Sequence, residues 1–153
     1  MTLEQLAFDA AVRALDKQET VLEEIRARTG ALVASSAVVT AFLGNDALKQ
    51  SQSWLAVFAI AAFVGTILAS AFILVPRKGK FGFSMSASVV YERHFASKHQ
   101  LDEVYRSLAY QLERAWKNND RAIQPLFWAF HVGAIGLIVE VVSLALITTG
   151  TMG

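Results

Sequence analysis

Residues 54–75 read WLAVFAIAAFVGTILASAFILV, 22 residues without one charged side chain, and Pro76, Arg77 and Lys78 follow at once. A helix of that length rises about 33 Å, enough to cross the hydrocarbon of a bilayer with some tilt. The proline marks where such a helix is expected to stop or kink. Upstream, residues 29–44 (TGALVASSAVVTAFLG) are also free of charge, shorter, and rich in small side chains. Downstream, from Ala122 to Gly153 the only ionisable side chains are His131 and Glu140. A third span is expected over 126–149, with Pro125 in its first helical turn. The 153-residue chain is 54% hydrophobic and only 18% charged, against roughly 25% in an ordinary soluble domain. Its apolar residues are gathered into blocks rather than spread as an amphipathic core requires. The expected fold is therefore all-α: an integral membrane protein with three transmembrane helices and cytosolic helical extensions.

The basic residues give an orientation. Arg13, Lys17, Arg26 and Arg28 precede the first span and nine more lie in 76–125, against Lys49 alone in the 45–53 loop and none after the third span. By the positive-inside rule the N-terminus and the long connection are cytoplasmic, while the short loop and the C-terminus face outward. Trp54 and Phe42 then flank the outer interface, and Phe127, Trp128 and Phe130 the inner one. The layout is a cytosolic helix over 1–28, a transmembrane hairpin over 29–75 (spans 29–44 and 54–75), a cytosolic connection over 76–125, and a third span with a short outer tail over 126–153.

The N-terminal segment alternates acids, bases and apolar residues at helical spacing, unlike a cleavable signal. Thr2 to Gln5 (TLEQ) fits a capping box. Phe8, Leu15 and Leu22, joined by Ala11 and Ile25, make a seven-residue stripe that Gln18 interrupts. So narrow a stripe suits a coiled-coil contact, either with a second copy or with the later cytosolic helix. That later helix carries Leu101, Tyr105, Leu108, Leu112 and Ala115 at alternating four- and three-residue spacing and runs through Trp116 and the polar Asn118-Asn119-Asp120 break into the third span, so both cytosolic helices read as extensions of membrane helices. Between the two, Arg77, Lys78 and Lys80 interleave with Phe81 and Phe83 at the membrane edge, where basic residues meet anionic lipid headgroups at about 1 kcal/mol each.

The near-zero net charge of +1 excludes a nucleic-acid binder driven by a large positive field. The absence of cysteine excludes disulfides, thiolate chemistry and iron–sulfur clusters. No phosphate-binding glycine loop, nucleophile elbow or paired intramembrane carboxylate occurs. His99 and Glu103 are four apart, a spacing that any helix surface produces by chance. No catalytic residue, metal or cofactor is expected, and the protein is read as no enzyme.

Glu140 stands out. It falls about 4–5 Å from the centre of the third span at 1.5 Å per residue, where an ionised acid costs roughly 3 kcal/mol. Either it is neutral and hydrogen-bonded to hydroxyls, or it is charged and faces water in an oligomeric pore. The first span runs in the same direction, and counting from its centre puts Thr40 at the depth of Glu140, with Ser36 one turn inward. On the third span Ala129, Gly133, Gly136, Glu140 and Ser143 share a face; on the second, Ala59, Ala62, Gly65, Thr66 and Ala69 do. Gly133, Gly136 and Gly65 are therefore expected at close helix packing. Glu140, Thr40, Ser36, Thr66 and Ser143 are the candidates for a pore wall or polar interhelical contact.

Three stretches carry a resemblance. The charged helix ending RARTG and running into ALVASSAVVTAFLG, the VPRKGKFGF turn, and YRSLAYQLERAWKNNDRAIQPLFWAFHVGAIGLIVEVV resemble the small bacterial membrane proteins grouped as SLATT and Pycsar transmembrane effectors. The third span is an addition to the two-helix core usual in SLATT proteins. The resemblance implies an oligomeric inner-membrane protein of a nucleotide-signalled antiviral system, whose activation perturbs the membrane, with a cytosolic signalling partner. It carries over no ligand-binding residue. Two other readings stand beside it: an accessory subunit of a larger membrane complex, and a constitutive small ion or proton channel.

Overall fold

The structure is a computed structural model that describes residues 2–49, 54–75, 81–82, 92 and 100–150. Among them are three long helices and no strand: α1 (Leu3–Lys49), α2 (Trp54–Leu74) and α3 (Leu101–Gly150). Each is long and apolar enough to cross a membrane. The chain divides into two compact units, residues 1–23 with 76–124 and residues 24–75 with 125–153.

In the first unit α1 and α3 run side by side in the same direction. Thr2 caps α1: its hydroxyl accepts from the Gln5 amide at 3.3 Å and donates to Asp102 at 3.0 Å. Phe8 stacks at a tilt on Tyr105, ring centres 5.5 Å apart. Leu15 and Leu22 of α1, with Leu108, Leu112 and Ile123 of α3, are buried between the helices. Each large aliphatic side chain removed from water in this way contributes about 1.5–3 kcal/mol. The partner of the N-terminal stripe is thus the later helix of the same chain. The buried Gln18 donates to the Trp116 carbonyl at 3.2 Å, while its own side-chain oxygen finds no partner.

The second unit is built differently. Its buried positions are Ile25, Thr29 and Ser36 on α1, Ala56, Ala59, Thr66, Ser70 and Ile73 on α2, and Leu126, Gly133, Glu140, Ser143, Leu144 and Ile147 on α3. Ala56, Ala59, Leu144 and Ile147 form a small core, with Val39, Leu43 and Leu55 against it. The larger apolar side chains, among them Phe58, Leu68, Val132, Ile135 and Ile138, point outward. In each unit the α1 and α3 stripes keep a seven-residue spacing: 15 and 22, then 29 and 36, on α1; 112 and 119, then 126, 133, 140 and 147, on α3. That is the repeat of helices wound left-handed about each other.

Two expectations about helix ends are corrected. The first apolar stretch does not end its helix at Gly44, since α1 continues to Lys49. Pro125 lies inside α3 rather than in a first turn. It and Arg121 are both exposed, and the helix carries on although the proline ring takes the helical partner of the Arg121 carbonyl. As expected, α3 runs through residues 118–120 into the last apolar stretch. The reason is the side chain of Asn119, which does not compete for its own helix backbone because it is spent elsewhere. Its oxygen accepts from the Gly82 amide at 3.0 Å and its nitrogen donates to the Gly82 carbonyl at 3.1 Å.

Candidate functional site

Glu140 is fully buried in the second unit. Ser36 and Thr40 stand four residues apart on α1, so both hydroxyls leave the same face about 6 Å apart along the axis. The carboxyl group of Glu140 on α3 bridges them. Ser36 Oγ donates to Oε2 at 2.5 Å, and Thr40 Oγ1 donates to Oε1 at 2.6 Å. Hydroxyls elsewhere in this unit bond back to the carbonyl four residues earlier, as Thr29 does to Ile25 at 2.7 Å and Ser35 to Ala31 at 2.9 Å. Back-bonding is the ordinary fate of a helical serine or threonine. Ser35 and Ser36 thus sit side by side in sequence and do different things, because only Ser36 falls on the buried seven-residue stripe.

Hydroxyl bonds inside helical membrane proteins are worth about 0.6–1.7 kcal/mol each. Two of them offset only part of the roughly 3 kcal/mol that an ionised acid costs at mid-span. Among the described residues no cationic side chain lies on Glu140. His131 is exposed and its Nδ1 lies 2.7 Å from the Phe127 carbonyl, a bond within its own turn. A cavity of about 250 Å³ opens beside the acid, lined by Thr40, Gly44, Asn45, Ala59, Ile60, Phe63, Glu140 and Leu144.

Thr66 and Ser143 were expected alongside Glu140. Thr66 belongs to another contact, a turn or more away, where α2 meets α3. Fully buried, its hydroxyl lies 3.0 Å from the Ala62 carbonyl and 3.2 Å from that of Gly133. Gly136 makes room for it, because a Cβ there would come within 2.5 Å of Thr66 Oγ1 and 3.2 Å of the Ala62 carbonyl. Gly133 is less tight, with ordinary contacts at 3.6 Å to Ala69 and Leu32. Ser143 is buried one turn beyond Glu140. Gly65 is a correction: a Cβ on it would meet nothing within 4 Å. The buried stripe of α2 runs through Ala59 and Thr66 to Ser70, and Gly65 sits about 100° around the helix from Thr66.

Arg77, Lys78 and Lys80, the candidate lipid contacts, and His99 lie outside the described residues. Among the described residues no group of three His, Asp or Glu side chains is placed to hold a metal. Sequence reasoning missed the pairing of Asn119 with Gly82. The signal was there, since Asn119 stands seven residues from both Leu112 and Leu126 and so on the buried stripe.

In the first unit Arg106 pairs with Glu4 at 3.3 Å. Hydrogen bonding from the backbone at Glu4, and then from Arg106, holds the Glu4 carboxyl below its ordinary range. No protein-family model, no curated protein and no solved structure matches the chain.

Proposed function

We propose that this chain is a multi-pass protein of the bacterial inner membrane, with its N-terminus in the cytoplasm and its C-terminus outside. In this reading it assembles into a homo-oligomer and acts, without catalysis, as a pore-forming or membrane-perturbing effector of an antiviral signalling system. The observation that carries the reading is the bridge from Ser36 and Thr40 to the buried Glu140, set in an interior of small and hydroxyl-bearing side chains. Such an interior lets helix backbones approach without a large apolar core. It holds the resting arrangement by a few short bonds, which a signal on the cytosolic helices can overturn. Activation is then a population shift between a closed bundle, with the acid covered, and an open one, with Glu140, Thr40 and Ser36 turned to a water-filled path. The resemblance to the SLATT and Pycsar effectors supplies the defence context, and the basic residues Arg77, Lys78 and Lys80 supply the contact with anionic lipid.

Purified protein in liposomes tests this. Ion flux that is altered by Glu140→Gln supports the reading. Flux indifferent to that change removes the acid from the mechanism, and no flux at all removes the pore. The burial of Glu140 also favours one rival. An acid already partnered inside a single chain needs no oligomeric axis, as suits an accessory subunit held in a larger complex by its apolar outer faces. Cross-linking in native membranes separates the two: a ladder of this chain alone supports the effector, and adducts only with a different protein support the subunit.

A further inference from the structure

We propose that the groove between α1 and α3 in the first unit is where two copies of this chain meet, face to face and inserted in the same sense. The inference rests on the homo-oligomer of the preceding reading and names its contact surface. The groove has a volume of about 430 Å³ and is lined by Ala7 and Ala11 of α1 and Ala109 of α3. Leu3 and Tyr110 stand at its sides, 76% and 67% exposed. A large ring open to water beside an alanine hollow has the composition of a contact surface, where aromatic side chains act as anchors. A cavity of about 150 Å³ accepts benzene, so this one takes the Tyr110 ring of a facing copy.

Hydrogen bonds across the helix pair join residues 98–102 apart in sequence, so Ala10 stands level with Tyr110. Two chains anchored alike in one membrane are related by an axis along their helices, and residues then meet others at their own level. A half-turn about that axis lays α1 of each copy over α3 of the other, an isologous contact in which every pair occurs twice. Ala10 and Lys17 follow Leu3 at seven-residue steps and Ala14 follows Ala7, so they continue the face of α1 that borders the groove. Tyr110 of one copy therefore falls on Ala7, Ala10 and Ala14 of the other. On α3, Glu113 and Asp120 follow Arg106 in the same way. Charge complements this fit. Arg106 pairs with Glu4, and Glu113 with Lys117, whereas Lys17 and Asp120 make no ion pair among the described residues. These two opposite charges flank the groove from different helices, about 4.5 Å apart in level. The half-turn brings Lys17 of each copy to Asp120 of the other.

Resonance energy transfer between donor- and acceptor-labelled full chains, diluted in phosphatidylcholine vesicles, measures self-association. Tyr110→Ala is expected to weaken it about tenfold or more, the loss of an aromatic anchor. Lys17→Glu and Asp120→Lys should each weaken it roughly threefold or more, and both changes in one chain should restore it. A purely structural effect inside one copy gives no such rescue, because the two side chains form no pair there. The chain contains no cysteine, so chains carrying Ala10→Cys and chains carrying Tyr110→Cys, mixed in one membrane, should form a disulfide-linked pair in preference to either alone. Self-association unmoved by these changes, or cysteine pairs of like with like only, overturns the inference and leaves the homo-oligomer standing. No self-association of the unaltered chain overturns both. A dimer on this face without ion flux upholds the inference and removes the pore. The cysteine comparison decides the matter even if a charge variant fails to fold.

Discussion

The two units are built inside out with respect to each other in composition. In the first, large aliphatic side chains are buried between α1 and α3; among its described residues the exposed large apolar ones are Leu3, Leu6, Leu101, Tyr110 and Trp116. In the second, twenty large apolar side chains are exposed among the described residues, while serine, threonine, glycine, alanine and one glutamate share the interior with Ile25, Ile73, Leu126, Leu144 and Ile147. Removing apolar surface from water stabilises the first arrangement. The outer face of the second is of the kind that lipid would solvate, and packing at small residues and hydrogen bonds between helices contribute to its contact. One pair of helices, α1 and α3, thus changes the composition of its outer face along its length. The buried polar groups differ to match. Gln18 and Asn119 bond to backbone in the first unit, and Glu140 to side-chain hydroxyls in the second.

The contrast breaks most readily at Gly136. Gly136→Ala puts a methyl group against Thr66 and the Ala62 carbonyl, with an expected cost of about 1–3 kcal/mol, whereas Gly65→Ala, facing open space, leaves stability unchanged. Denaturation midpoints in mixed micelles of the two variants measure the difference, and equal midpoints would deny that backbone approach holds the second unit. In the first unit Asn119→Leu strips Gly82 of both its side-chain bonds. A loss of about 1–3 kcal/mol is expected, with faster amide exchange at Gly82 in hydrogen-exchange mass spectrometry.

Smaller effects come next. Ser36→Ala, Thr40→Val and Glu140→Gln, combined in double-mutant cycles, should show coupling of about 0.6–1.7 kcal/mol for each hydroxyl with the acid. Additive effects would mean that the bridge is incidental to stability. The smallest effect belongs to Glu4. Its folded-state pKa is depressed, so its contribution to stability is present above the ordinary carboxylate range and lost as pH falls through the lowered value. Arg106→Ala should flatten that acid-side slope only slightly, because the pair is open to solvent and screened.

The apolar blocks were readable because a run of residues without charge is a property of composition that no packing detail can hide. So was the trio Glu140, Ser36 and Thr40, since depth in parallel helices follows from counting at 1.5 Å per residue. What escaped was rotational and local. Gly65 and Thr66 are neighbours in sequence and share the second apolar block, but which of them faces α3 depends on 100° of helix phase. Pro125 carries the local mark of a helix start, and α3 passes through it. The proline is tolerated because its turn is exposed. Asn119 is tolerated because its amide is engaged by a backbone far away in sequence, which no local rule registers.

The three tryptophans give the molecule a built-in optical gauge. Trp54 and Trp128 are among its most exposed side chains, at 68% and 75%, and belong to the second unit, while Trp116 belongs to the first. Lipids brominated along their acyl chains should quench the emission of Trp54 and Trp128 and spare that of Trp116. Single-tryptophan variants of this one chain would then read out, without any attached label, where water gives way to oil.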